Sequence, residues 1–238
     1  MEIHNTEVFL RRRFAFTLML ITACAPTNHP TPGANQLLAR DDSMKFDVTV
    51  VDTLGNSRPF GRTFINRSRI NDELVLQVRG GTWGNYTTRD DLVIRRRDLL
   101  PVTETLQLPN RTTAFKYDGA KVTRTVLRPD SARGTSDQQF PLSIFAFNQM
   151  ELLVQSVPLK AGYTRVVPLY SESDGKLEQD TITVLEKSTE NNRAVWKIRF
   201  ADPAIIKIIS IDGVTRSLVY DETMNRRSRA KFLSKPVR

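Results

Sequence analysis

Thr113–Leu127, TAFKYDGAKVTRTVL, sets two runs of alternating polar and apolar residues on either side of an Asp118-Gly119 pair. Alternation with period 2 is the mark of a half-buried strand. An Asp-Gly pair between two such runs predicts a tight hairpin, with positive φ at both turn positions. The same signature returns at Asp212-Gly213, between Ile205–Ile211 and Thr215–Tyr220. The rest of the chain follows the pattern. Strands are predicted at Lys45–Val51, Arg62–Asn66, Glu73–Arg79, Asp90–Arg97, Tyr163–Tyr170, Thr181–Lys187 and Ala194–Phe200, with Leu74, Leu76 and Val78 sharing one face. Adjacent antiparallel pairs without helical crossovers make the fold class mainly β, an antiparallel curved sheet.

One helix interrupts the strands. Ser143–Gln155, SIFAFNQMELLVQ, places Asn148, Glu151 and Gln155 on a narrow polar stripe, with Ala146, Met150, Leu153 and Val157 opposite. Ser143 is positioned as its cap and Pro158 as its stop. A mostly apolar helix among strands must lie against the inner face of the sheet. The expected body is residues 44–224, one domain. The alternative is two small β domains joined near Leu127–Gln139, where Pro129, Gly134 and polar residues weaken the pattern. Gly80-Gly81-Thr82-Trp83-Gly84 reads as a loop with a packed tryptophan. It lacks the Lys and Ser/Thr ending of a phosphate-cradling P-loop.

The N-terminus says where the chain goes. Arg11, Arg12 and Arg13 precede a short apolar run, Phe14–Ile21, which ends at Thr22-Ala23-Cys24. This order of segments is a secretory signal. The run is far below the ~20 residues of a membrane-spanning helix. Ile21-Thr22-Ala23-Cys24 resembles the bacterial lipobox. The resemblance implies cleavage after residue 23, lipidation of Cys24 and a mature chain hung from a membrane; Ala25 after the cysteine implies export to the outer membrane. Cys24 is the chain's single cysteine, so no internal disulfide can form. Residues 24–43 read as lipidated Cys and tether, broken by Pro26, Pro30, Pro32 and Gly33. Residues 225–238 hold six basic residues and no acid, and read as a solvated tail or an anion-binding one.

Composition narrows the chemistry. The formal charge is +9, and loss of three arginines and two glutamates with residues 1–23 leaves +8. Such a surface suits anionic envelope partners, while nucleic acid does not fit a secreted address. The two histidines, His4 and His29, fall in the leader and the tether. The body therefore has no Ser-His-Asp or Cys-His arrangement, no histidine-bearing zinc site and no histidine base. Asp90-Asp91 reads as a loop or strand-end acid pair, and Ser171–Gly175 as a turn rather than a calcium loop. No catalytic residue, cofactor or metal site is assigned.

From Arg95 to Tyr220 the order of elements resembles the half-barrel envelope proteins of the lipoprotein-carrier type (LolA/LolB-like) and related periplasmic domains of unknown function. The phrases that carry it are Arg96–Val102, the Lys116–Gly119 hairpin, the helix running into Val157–Tyr163, Trp196, and the Asp212-Gly213 hairpin. The resemblance implies a sheet wrapped around a helical plug, with room for acyl chains in the hollow. The expected function is then a membrane-anchored envelope lipoprotein, non-catalytic, that binds an apolar or lipid ligand between helix and sheet. Phe147, Met150 and Leu153 are the helix side chains expected to face it; Arg95, Arg96 and Arg97 are expected to coat the solvent side, the alternative being that one alternating set meets an anionic head group at the rim. The alternative is a structural or assembly lipoprotein that contacts envelope proteins or wall polymers without a cavity. The expected location is the cell envelope, on the outer membrane facing the periplasm.

Overall fold

The computed structural model describes residues 41–83, 85–127, 133–172, 175–190, 192–201, 205–225 and 231–237. The signal-peptide reading, Cys24 and most of the tether fall outside the described residues. The body is one antiparallel sheet of fifteen strands. The first eight run as a meander: β1 (Asp42–Val51), β2 (Ser57–Arg69), β3 (Leu74–Trp83), β4 (Tyr86–Arg95), β5 (Pro101–Leu108), β6 (Arg111–Asp118), β7 (Lys121–Leu127) and β8 (Arg133–Gln139). Then come the two-residue strand β9 (Phe145–Ala146), a 3-10 turn (Phe147–Gln149) and the helix α1 (Met150–Ser156). The second run is β10 (Thr164–Ser171), β11 (Lys176–Glu190), β12 (Arg193–Ala201), β13 (Ile205–Asp212), β14 (Leu218–Asn225) and β15 (Lys231–Pro236).

The spatial order is β8 down to β1, then β15 down to β9. Every neighbouring pair is antiparallel except β9 with β10. Strands on both sides of Leu127–Gln139 therefore belong to one hydrogen-bonded sheet, which excludes the two-domain alternative. The seam between the two runs is β15. It pairs with β1 from Phe46↔Pro236 to Val51↔Lys231, and with β14 from Asp221↔Ser234 to Met224↔Lys231. The expectation of a solvated tail after residue 224 is thus overturned for residues 231–236. Phe232 and Ser234 face the cavity while Lys231 and Lys235 stay exposed, and both edges of the strand find partners.

Four register shifts, at Val48/Thr49, Val93/Ile94, Val184/Glu186 and Ser210/Ile211, add twist and help to curl the sheet. The curl brings its two ends together without backbone pairing. The Tyr170 hydroxyl on β10 donates to Gln138 Oε1 on β8 at 2.9 Å, and Gln138 Nε2 donates to the Gly175 carbonyl at 2.8 Å. Phe115, Tyr117 and Phe140 gather edge-on around the Tyr170 ring.

Local chemistry corrects three further expectations. Gly80 and Gly81 belong to β3, not to a loop. A Cβ at Gly81 would stand 2.4 Å from the Arg62 carbonyl, and one at Gly61 on the neighbouring strand 1.9 Å from the Thr82 carbonyl. The glycines are needed because β2 and β3 approach too closely for side chains. At the first hairpin, β6 ends at Asp118 and β7 starts at Lys121. The turn residues are therefore Gly119 and Ala120, and of these only Gly119 has positive φ (60°), the pattern of a II′ turn. At the second, Asp212 Oδ1 accepts from the backbone of Val214 and Thr215, and the turn extends to Ser217. The predicted helix is halved: Phe145 and Ala146 pair with β10, and the α-helix begins at Met150.

Candidate ligand-binding site

The helix is short, with all seven residues buried, and specific polar contacts hold it inside the curl. At its leading end the Phe147 amide donates to Glu172 Oε1 at 2.8 Å, and Asn148 Nδ2 donates to Glu104 Oε1 at 2.9 Å. Gln149 Nε2 reaches the Leu99 carbonyl at 2.7 Å, on a turn where Leu99 takes φ +62°. At its trailing end Arg216 Nη1 donates to the carbonyls of Gln155 (2.9 Å) and Val157 (2.6 Å). A cation on free helix carbonyls is the favourable end for the helix dipole. The polar stripe Asn148–Glu151–Gln155 is thus the set of pins that fixes the helix to the sheet.

Between the helix and the β1–β2–β3 and β13–β14–β15 strands lies a cavity of 310 Å³. This is the small end of the ~300–1,000 Å³ usual for ligand pockets. Half-buried aromatics stand at its edge: the Phe60 ring lies 5.2 Å from Phe232 and 6.1 Å from Trp83. Phe147 and Met150 from the helix side, with Phe46, Ile65 and Leu218, extend the apolar wall.

Charged side chains meet the apolar wall in an alternating row. Arg79 Nη1 donates to Glu151 Oε2 at 3.1 Å; Lys207 Nζ lies 2.9 Å from both Glu151 Oε1 and Asp221 Oδ2. Burial alone would raise the Glu151 carboxyl, but Arg79 and Lys207 outweigh it and hold it at about 2. Burial would lower Lys207, but Asp221 and Glu151 hold it above its ordinary value. Asp221 is pushed up by burial despite Lys207. Two cations and two carboxylates in alternation balance, which is how buried charges are tolerated. Arg79 is the most open of the four, its side chain 22% exposed against 4% for Glu151 and 6% for Lys207.

On the other side of Arg79 the interior turns acidic. Asp90, the cross-strand partner of Arg79, faces Glu104 on β5, which in turn neighbours Glu172 and takes the Tyr117 hydroxyl at 2.5 Å. Burial and then Glu104 push the Asp90 carboxyl up to about 10; burial raises Glu104, and burial and then Glu104 raise Glu172. Neither Asp90 oxygen has a hydrogen-bond partner among the described residues. Carboxyls raised in this way keep their protons where an ordinary acid has lost them, which spares the interior three buried negative charges.

Of the helix residues expected to face a ligand, Phe147 and Met150 line the cavity, whereas Leu153 is fully buried in the core. Phe145 and Leu152 are core residues too, and leave the cavity open. Arg95, Arg96 and Arg97 lie at the far end of β4, around a separate polar depression with Asp72 and Glu73. They do not rim the apolar cavity, and Arg96 and Arg97 follow the strand in a turn, so strand alternation does not govern them. Sequence reading missed Arg79, Lys207 and Asp221. A signal was present at Lys207, a lone lysine inside the run Ile205–Ile211. At β3 the apolar trio Leu74, Leu76 and Val78 misled, because Val75, Gln77 and Arg79 take the inward positions.

A curled open sheet, plugged by a short helix and hollowed beside it, defines a non-barrel β-sheet protein with an internal cavity. The chain belongs to the family described as Protein of unknown function (DUF3108), whose model matches residues 45–232. That span runs from within β1 to the first two residues of β15. No match was found among the curated proteins. Among the described residues, no helix is long and apolar enough to cross a membrane.

Proposed function

We propose that this protein is an envelope lipoprotein, anchored through Cys24, that holds an apolar or lipid ligand in its half-barrel without catalysing a reaction. The observation that carries the reading is the cavity beside α1, apolar on its walls and lined by Phe147 and Met150. A hollow of this kind contributes ~0.8 kcal/mol for each methylene it removes from water, and needs no catalytic group. Its size suits a compact apolar molecule or one end of a chain. The resemblance of Ile21–Cys24 to a lipobox supports the anchor, and the resemblance of the element order to lipoprotein carriers supports the mode of binding.

The test is native mass spectrometry of the full chain carrying Cys24→Ser, purified without added lipid. Co-purified apolar mass that disappears on organic extraction supports the carrier reading. A protein that never carries such mass, and binds none when lipids are added, points instead to an assembly lipoprotein. One observation favours that second reading: β8 is the free edge of the sheet, and most of its residues are exposed.

A further inference from the structure

We propose that the concave corner formed by β6, β7 and β8 binds a phosphate group through Arg111 and Arg124. The register puts both arginines on the inner side of the sheet. Arg124 lies opposite the buried Phe115, and Arg111 is four residues before Phe115 on the same strand. Continuing outward, Ser136 lies opposite Arg124, and Gly134 opposite Val126. These residues, with Arg133, line a depression of 420 Å³ that shares no residue with the apolar cavity. The inference therefore stands apart from the carrier reading.

Several arginines of this sheet have an acid beside them: Arg62 has Asp47, Arg69 Asp72, Arg89 Asp91 and Arg95 Asp98. Arg111, Arg124 and Arg133 have no ion pair among the described residues. The Nε atoms of Arg111 and Arg124 are shielded from solvent and have no acceptor among the described residues. Thr113, between Arg111 and Phe115 on the inner face, is buried, and its hydroxyl has no partner among the described residues. Shielded donors without acceptors are costly, and here they cluster. A guanidinium offers Nε and Nη as a parallel fork that matches two oxygens of one phosphate. Two such forks, a third cation at the edge and the hydroxyl of Ser136 suit a tetrahedral dianion better than a single planar carboxylate. The space is open: a Cβ at Gly134 would meet nothing within 4 Å.

The source of the phosphate is either a soluble phosphate or a phospholipid headgroup, and the test separates them. The full chain with Cys24→Ser is titrated with inorganic phosphate by calorimetry. It is also co-sedimented with vesicles of phosphatidylcholine, with and without phosphatidic acid. The expected result is saturable binding in at least one arm, weakened about tenfold or more in Arg111→Gln/Arg124→Gln and unchanged in Arg97→Gln, an exposed arginine outside the site. Binding of inorganic phosphate alone assigns a soluble ligand, and dependence on phosphatidic acid alone assigns a headgroup. Ser136→Glu places a carboxylate opposite Arg124; it should raise the melting temperature and abolish phosphate binding, which keeps the test valid if the double variant misfolds. Absence of saturable binding in both arms, or equal binding by wild type and Ser136→Glu, overturns the proposal.

Discussion

Lys207 on β13 donates to Glu151 Oε1 on α1 across 2.9 Å, so one buried ammonium ties the late strands to the helix. The same ammonium holds Asp221 on β14, and the other Glu151 oxygen takes Arg79 on β3. Removing Lys207 would leave two buried carboxylates facing each other. Lys207→Met should cost about 3–5 kcal/mol of unfolding free energy, the usual loss when one partner of a buried pair is removed. Adding Glu151→Gln and Asp221→Asn should recover part of it. Urea denaturation of the three proteins checks this; a loss below about 1 kcal/mol for Lys207→Met would show that the ammonium is not holding the row together.

Stability should fall as pH rises from acid to alkaline. Asp90, Glu104 and Glu172 have folded values raised above their ordinary ones, Asp90 to about 10. Between the unfolded value near 4 and the folded value, the native state holds protons that the unfolded chain has released, so the slope with pH is negative there. Glu151 works in the opposite sense: its depressed value of about 2 gives stability that is present above its ordinary value of 4.5 and lost as pH drops through 2. A maximum in mildly acid solution follows. Asp90→Asn should flatten the alkaline limb and gain about 1 kcal/mol or more at about pH 8. Urea midpoints across the pH range decide it, and a stability that climbs from about pH 5 to pH 9 contradicts a cluster of raised carboxyls.

The seam strand should be indispensable. Deleting residues 226–238 removes β15, exposes the edges of β1 and β14, and takes away Phe232 from the cavity edge. The truncated chain should aggregate or lose its cooperative unfolding transition. A truncated chain with an unchanged melting temperature would return residues 231–236 to the status of a dispensable tail.

The β2–β3 approach predicts intolerance to the smallest side chain. Gly61→Ala and Gly81→Ala would each push a Cβ against a carbonyl of the neighbouring strand. Each should destabilise by about 2 kcal/mol or more, while Gly134→Ala, in open space, should change little. Thermal unfolding of the three variants is sufficient to compare them.

Much of the architecture could be read from local alternation. Val48, Val50, Ile182 and Val184 repeat at period 2 on buried positions, as pairing demands. What alternation hides is which face is inside. In β3 the inward face carries Gln77 and Arg79, because it meets the helix pins Asn148 and Glu151. Polar residues there are core residues, and an apolar face was the wrong guide. Phe232 was concealed by its basic neighbours, since a strand lodged between two others can send its charges outward. The pairing of β15 with β1 joins residues at opposite ends of the chain, which no local pattern encodes. Two residues of the proposed ligand wall, Phe147 and Met150, were legible from the helix; most of the wall comes from strands brought together by that long-range pairing.

The central claim is that the cavity beside α1 holds an apolar ligand, and displacement of a fluorescent fatty-acid probe tests it most directly. The full chain with Cys24→Ser is compared with the same chain bearing Met150→Trp, which fills the cavity from the helix side, and with Thr223→Trp, which fills it from β14. The parent chain should bind the probe saturably and release it to unlabelled apolar ligand, with binding weakened about tenfold or more in both tryptophan variants and their folded state retained. Equal binding by all three proteins, or none by the parent, would contradict it.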